Sequence, residues 1–86
     1  MYSIIVYDAS KKRANKICNF LKRYLNWIQN SVFEGEISEG KLKRLIRGLK
    51  KIVKEEDSII IFKFRDKELM KKEVIGKEKA EITNII

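Results

Sequence analysis

The chain has 86 residues, of which 20 are Lys or Arg and 12 are Asp or Glu, and it contains no His, no Pro and one Cys, for a net charge of +8. So short a chain makes one domain that buries only about 60 to 65% of its unfolded surface, and association with a second copy is expected to help hold it. Cys18 alone cannot close an internal disulfide, and without His neither a thiolate–imidazole pair nor a zinc site of the usual kind can be built, which excludes several enzyme classes.

The run YSIIVYD, residues 2–8, is rich in β-branched and aromatic side chains and predicts a buried strand ended by Asp8. Ser10 is placed to cap a helix of about four turns whose apolar positions Ala14, Ile17, Cys18, Leu21, Tyr24 and Leu25 recur every three or four residues. Residues 26–37, NWIQNSVFEGEI, are too long for one average strand and predict two short strands or a bulged hairpin. From Ser38, a cap with Glu39 in the first turn, the positions Leu42, Leu45, Ile46, Leu49, Ile52 and Val53 predict a second helix to about Glu55. Gly48 lies inside it at a cost of about 1 kcal/mol relative to Ala, which the apolar seam can override. SIIIFKF, residues 58–64, predicts another strand, and EVIG, residues 73–76, a short additional one.

This order predicts a ferredoxin-like βαββαβ fold of the α+β class, an antiparallel sheet with two helices on one face. Its other face would be left open, and dimerisation through the sheet is the expected way to cover it. Residues 1–76 would form the domain. The tail KEKAEITNII, residues 77–86, carries Ile82, Ile85 and Ile86 and is read as a docking strand for a dimer mate or partner.

The charge favours a polyanionic partner, with nucleic acid ahead of a membrane surface. No apolar run approaches the roughly 20 residues that cross a bilayer, and the N-terminus shows no charged leader region; a soluble, cytoplasmic protein with no membrane partner is expected. GEISEGK, residues 35–41, has the spacing of a phosphate-binding loop, but Leu42 replaces the magnesium-binding hydroxyl and Glu36 and Glu39 would repel a triphosphate. The cations are better placed. Lys41, Lys43, Arg44, Arg47, Lys50, Lys51 and Lys54 fill nearly all polar positions of the second helix. Lys11, Lys12 and Arg13 crowd the first turn of the first helix, where the macrodipole is positive and each cation costs about 0.3 to 1 kcal/mol. Stability does not explain that placement, whereas a phosphate backbone at the exposed helix N–H groups would. Asp8 alone is a poor ligand set for a hard cation, but two copies brought together at a dimer axis could share magnesium. Tyr2, Tyr7, Trp27 and Phe33 read as core or interface aromatics.

The first strand ending in VYD, the run RANKICNFLKRYLNWIQNSVFEGEIS and the late IIIFKFR followed by VIG together resemble the CRISPR-associated Cas2 family, over nearly the whole chain. QNSVFEGEIS, residues 29–38, is the most specific part. The resemblance implies a ferredoxin-like homodimer that bridges two dimers of the CRISPR integrase subunit, in a complex that captures duplex DNA during spacer acquisition. It also implies a magnesium-dependent endonuclease acting on single-stranded RNA or double-stranded DNA. Asp8 matches the family's proposed catalytic metal ligand, Arg13 or Lys16 would assist electrostatically, and Phe33 matches a position near the cleft, where Tyr7 would also lie. Lys11, Lys12, Arg13, Lys16, Arg44 and Arg47 are the expected nucleic-acid contacts. Trp27 stands where some relatives carry a basic residue. A non-catalytic adaptor that holds duplex DNA, with Asp8 structural, is the alternative reading, since bridging does not require cutting.

Overall fold

In the computed structural model, which describes residues 1–79, the opening apolar run is an interior strand, β1 (Tyr2–Asp8). It is followed by α1 (Lys11–Leu21), β2 (Asn26–Gln29), β3 (Val32–Glu36), α2 (Glu39–Ile52) and β4 (Ser58–Phe64). The sheet order is β2-β3-β1-β4 with every pairing antiparallel, so the predicted βαββαβ arrangement is the observed one. Residues 26–37 satisfy both halves of their prediction. They form two strands, and the pairing slips between Trp27 and Gln29 as a bulge requires. Asn30 turns the hairpin at φ 43°, a left-handed conformation that Asn tolerates, and its carbonyl accepts the Trp27 indole N–H at 3.1 Å.

Alternation along β1 sorts its side chains between two faces. Ile5 and Tyr7 point with Phe33 into a core closed by Ile17 and Leu21 of α1 and by Leu42, Leu45 and Leu49 of α2. Tyr2, Ile4 and Val6 face the other way, alongside Phe64, Phe62 and Ile60 of β4. There Ile60 and Phe62 stay 51% and 49% exposed, which is unusual for large apolar side chains at the centre of a strand. The segment after β4 covers the rest of this face. Lys67 lies over the Tyr2 ring at 5.7 Å, and Lys72 reaches the carboxylate of Glu34 at 3.2 Å.

Three sequence expectations are corrected. First, α1 has 11 residues and ends at Leu21, short of four turns; Leu25 still joins the core, but from the turn beyond. The Ser10 hydroxyl makes no cap bond; its backbone carbonyl accepts from Ala14 N at 2.7 Å, and its backbone amide donates to the Asp57 carboxylate. Second, α2 stops at Ile52 because residues 54–57 turn, the Asp57 amide donating to the Lys54 carbonyl at 2.9 Å. At its other end Ser38 caps as predicted, its hydroxyl accepting from Lys41 N at 3.2 Å. Third, residues 73–76 are not a strand: Val74 and Ile75 are 47% and 97% exposed, and Gly76 takes φ +92°. Ile82, Ile85 and Ile86 lie outside the described residues. No helix among the described residues is long and apolar enough to cross a membrane.

Gly48 is more than a tolerated defect. A Cβ there would collide with Cζ of Phe20 and sit 2.9 Å from its Cε1, where α1 crosses α2. The ring is held by Tyr24, 5.3 Å between centroids, and by the Arg23 guanidinium at 5.8 Å. Gly48→Ala gains about 1 kcal/mol of helix propensity and loses about 1 to 3 to overpacking, so a net loss of about 1 kcal/mol is expected. In a Phe20→Ala background the same change is expected to stabilise by about 1 kcal/mol, a reversal of sign that urea unfolding of the four proteins would read.

Candidate nucleic-acid and metal site

β1 carries Asp8 at its C-terminal end, opposite Ser58 at the start of β4, and leaves it exposed. The next residues turn directly into α1, which places Lys11, Lys12 and Lys16 at the same end of the molecule, all exposed and without an ion pair among the described residues. A lone carboxylate beside three free ammonium groups is an arrangement for an external anion and for a cation between the two. No three His, Cys, Asp or Glu side chains converge among the described residues, and Asp57, next to the Ser58 partner of Asp8, is engaged by Arg13. Magnesium commonly takes one or two carboxylates with phosphate oxygens and water, and a second copy's Asp8 would bring the site to two.

Arg13 differs from its neighbours. Its Nε donates to Asp57 Oδ2 at 2.6 Å, and its Nη2 donates to Asp57 Oδ1 at 3.0 Å and to Glu56 Oε1 at 2.8 Å. The Asp57 side chain is only 1% exposed and also accepts from Lys54 N at 2.8 Å. Arg13, and after it the Lys54 amide, hold the Asp57 carboxyl below its usual range. The unfolded chain therefore takes up this proton more readily than the folded one, so the stability the carboxylate contributes is complete above about pH 4 and is lost as pH falls further. Urea midpoints measured downward from neutral pH are expected to drop below about pH 4 in the wild type and to drop less steeply in Asp57→Asn.

Tyr7 and Phe33 lie beneath this end of the sheet, both in the core, with ring centroids 6.3 Å apart. Burial, and next to it the Cys18 thiol, pushes the Tyr7 phenol up to about 12, so it keeps its proton at neutral pH. The two rings form the floor that holds the strand end.

Arg44 belongs elsewhere. With Arg23 and Lys41 it lines an open cavity of about 760 Å³ beside Met1, Glu36 and Ser38, at the opposite end of β1 and about 20 Å from Asp8 by the rise of a strand. Arg47 is exposed on α2. The predicted contacts thus divide into a group next to Asp8 and a remote group. Sequence reading overlooked Arg23 and Asp57 because each reaches its partners across more than a dozen residues. Asp57 was legible only as one of three acids after α2.

Comparison with known proteins was made against this geometry. Residues 1–72 match the model of the family described as CRISPR associated protein Cas2. A Methanocaldococcus jannaschii protein named CRISPR-associated endoribonuclease Cas2 is 48% identical over 87 residues, which span 100% of this chain and 76% of that protein. Its namesake from Pyrococcus furiosus is 47% identical over 87 residues, spanning 100% of each. A crystal structure of cas2 matches with a TM-score of 0.85 at 48% identity, covering 92% of this chain and 90% of that one. Streptococcus pyogenes Cas2 matches with a TM-score of 0.78 over 88% of this chain and 100% of that one; at 24% identity it speaks for the fold alone.

Proposed function

Because the chain belongs to the Cas2 family of CRISPR-associated proteins, we propose that it is a nuclease of CRISPR adaptation, working as a homodimer in which Asp8 of each copy is the essential carboxylate. The observation that carries this reading is the exposed Asp8 beside Lys11, Lys12 and Lys16, whose charged groups have no partner among the described residues. Relatives named endoribonucleases support phosphodiester hydrolysis, with single-stranded RNA as the first substrate to try and duplex DNA the second.

Exposed Ile60 and Phe62 on the open face of the sheet support pairing of two copies there. Pairing that brings two Asp8 carboxylates together would also hold magnesium better than one carboxylate alone. Bound magnesium would supply charge stabilisation and an activated water. The lysines would bind the phosphate backbone and orient it across the carboxylates. Tyr7, buried and protonated, packs in the core beneath the strand end.

A second reading, an adaptor that bridges integrase dimers on duplex DNA, is favoured by the remote cations. Arg23, Lys41 and Arg44 line their cavity too far from Asp8 to serve the same scissile phosphate. Labelled single-stranded RNA and duplex DNA, incubated with the dimer in magnesium or in EDTA, separate the two readings. The nuclease cuts at least one of them in magnesium and neither in EDTA. Tight duplex binding with no cutting of either would leave the adaptor.

A further inference from the structure

We infer that Asp57 is a positioning residue for Asp8, clamping the turn that links β1 to α1 onto the start of β4. The inference rests on the reading of Asp8 given above.

The need for a clamp arises from α1 itself. Its first turn holds Lys11, Lys12 and Arg13 and no acid, and the Ser10 hydroxyl makes no cap bond. Such an N-terminus is poorly held by its own residues, because the macrodipole repels all three cations and no side chain of the cap satisfies a free amide. The missing acids come from the turn between α2 and β4. Asp57 takes the Arg13 guanidinium on both oxygens, Nε at 2.6 Å and Nη2 at 3.0 Å, while Glu56 takes a second bond from Nη2 at 2.8 Å. A two-pronged bond of this kind fixes angle as well as distance. The Lys54 amide, donating at 2.8 Å, holds the carboxylate from behind.

Position gives the clamp its consequence. Asp57 immediately precedes Ser58, the register partner of Asp8. The link from Asp8 to α1 is therefore fastened at both ends to one two-residue stretch: by strand pairing at Asp8–Ser58 and by the ion pair at Arg13–Asp57. Between those points only four residues intervene, so freeing Arg13 releases the backbone that aims Asp8 and leaves β1 itself in place. An exposed ion pair contributes little to stability, typically under about 1 kcal/mol, but this one has an acid side chain 1% exposed and orients a neighbouring ligand.

The test uses the full-length dimer and the variants Arg13→Gln, Arg13→Lys and Asp57→Asn, each first shown to unfold cooperatively. Amide hydrogen exchange at residues 9–14 is measured beside the magnesium concentration for half-maximal cleavage and the Kd for uncut nucleic acid. In Arg13→Gln and Asp57→Asn, exchange confined to residues 9–14 should quicken about tenfold and the magnesium requirement should rise about tenfold, with Kd unchanged in Asp57→Asn, which removes no cation. Arg13→Lys, which keeps the charge and loses the fork, should fall between. Wild-type exchange and magnesium requirement in both Arg13→Gln and Asp57→Asn would overturn the inference. If the wild type does not cut, or Asp8→Ala cuts equally well, the nuclease reading fails. Exchange alone then decides the clamp: quickening confined to residues 9–14 sustains it, and no change overturns it.

Discussion

Asp8→Ala is expected to lower magnesium-dependent cleavage by about a hundredfold or more while leaving nucleic-acid binding and dimerisation intact. Removal of a group that supports a metal ligand already costs about 10- to 100-fold, and Asp8 is proposed as the ligand itself. The exposure of Asp8 makes the experiment clean, because no core contact or hydrogen bond of the described residues is lost with the carboxylate. Asp8→Asn should be as inactive, since it keeps the shape and discards the charge. Lys11, Lys12 and Lys16 remain in both variants, so Kd should move by less than about threefold. Full activity in Asp8→Ala would remove the carboxylate from the mechanism and leave the adaptor reading in its place.

Phe62→Asp is expected to convert the proposed homodimer to a folded monomer. Phe62 is 49% exposed on the open face beside Ile60, so in one chain the substitution costs little. In a dimer sealed through that face it removes an apolar contact of about 1.5 to 3 kcal/mol and places a carboxylate where water has been expelled. A dimer Kd raised at least a hundredfold, about 2.7 kcal/mol, is the expected result. Sedimentation equilibrium would read the mass and far-ultraviolet circular dichroism the fold. A variant that sediments as a dimer would move the interface off β4. Monomeric Phe62→Asp should also lose cleavage although Asp8 is untouched, because the proposed site draws one Asp8 from each copy.

Periodicity read the frame of the molecule correctly where each element is set by local chemistry. β1 and β4 begin and end as their β-branched runs do, and Ser38 caps α2 because its own hydroxyl reaches the third residue of the helix. What escaped depends on meetings between distant residues. Ser10 looked like the equal of Ser38, yet its helix is steadied by Asp57, 47 positions along the chain. Arg13 looked like one more cation for a phosphate; its two acid partners sit 43 and 44 residues away. Gly48 looked like an entropic defect until a ring from the other helix was found against it. The candidate site followed the same division. Asp8 and its lysines are consecutive enough to be noticed in sequence, whereas Arg23 joins Lys41 and Arg44 only through folding.

Glu34 shows where this fold ends. Its carboxylate lies buried against the sheet, accepting from the Tyr2 hydroxyl and from Lys72, and Lys72 comes from beyond the last strand. A fragment cut after Phe64 would keep both α-helices and all four strands of the sheet and yet leave that buried charge without its cation, an omission that costs several kcal/mol in a domain with little to spare. The smallest autonomous piece of this protein is thus longer than its sheet and two α-helices. A tag, fusion or truncation joined at the end of β4 would fall inside the folding unit, and the first safe joint lies past Lys72.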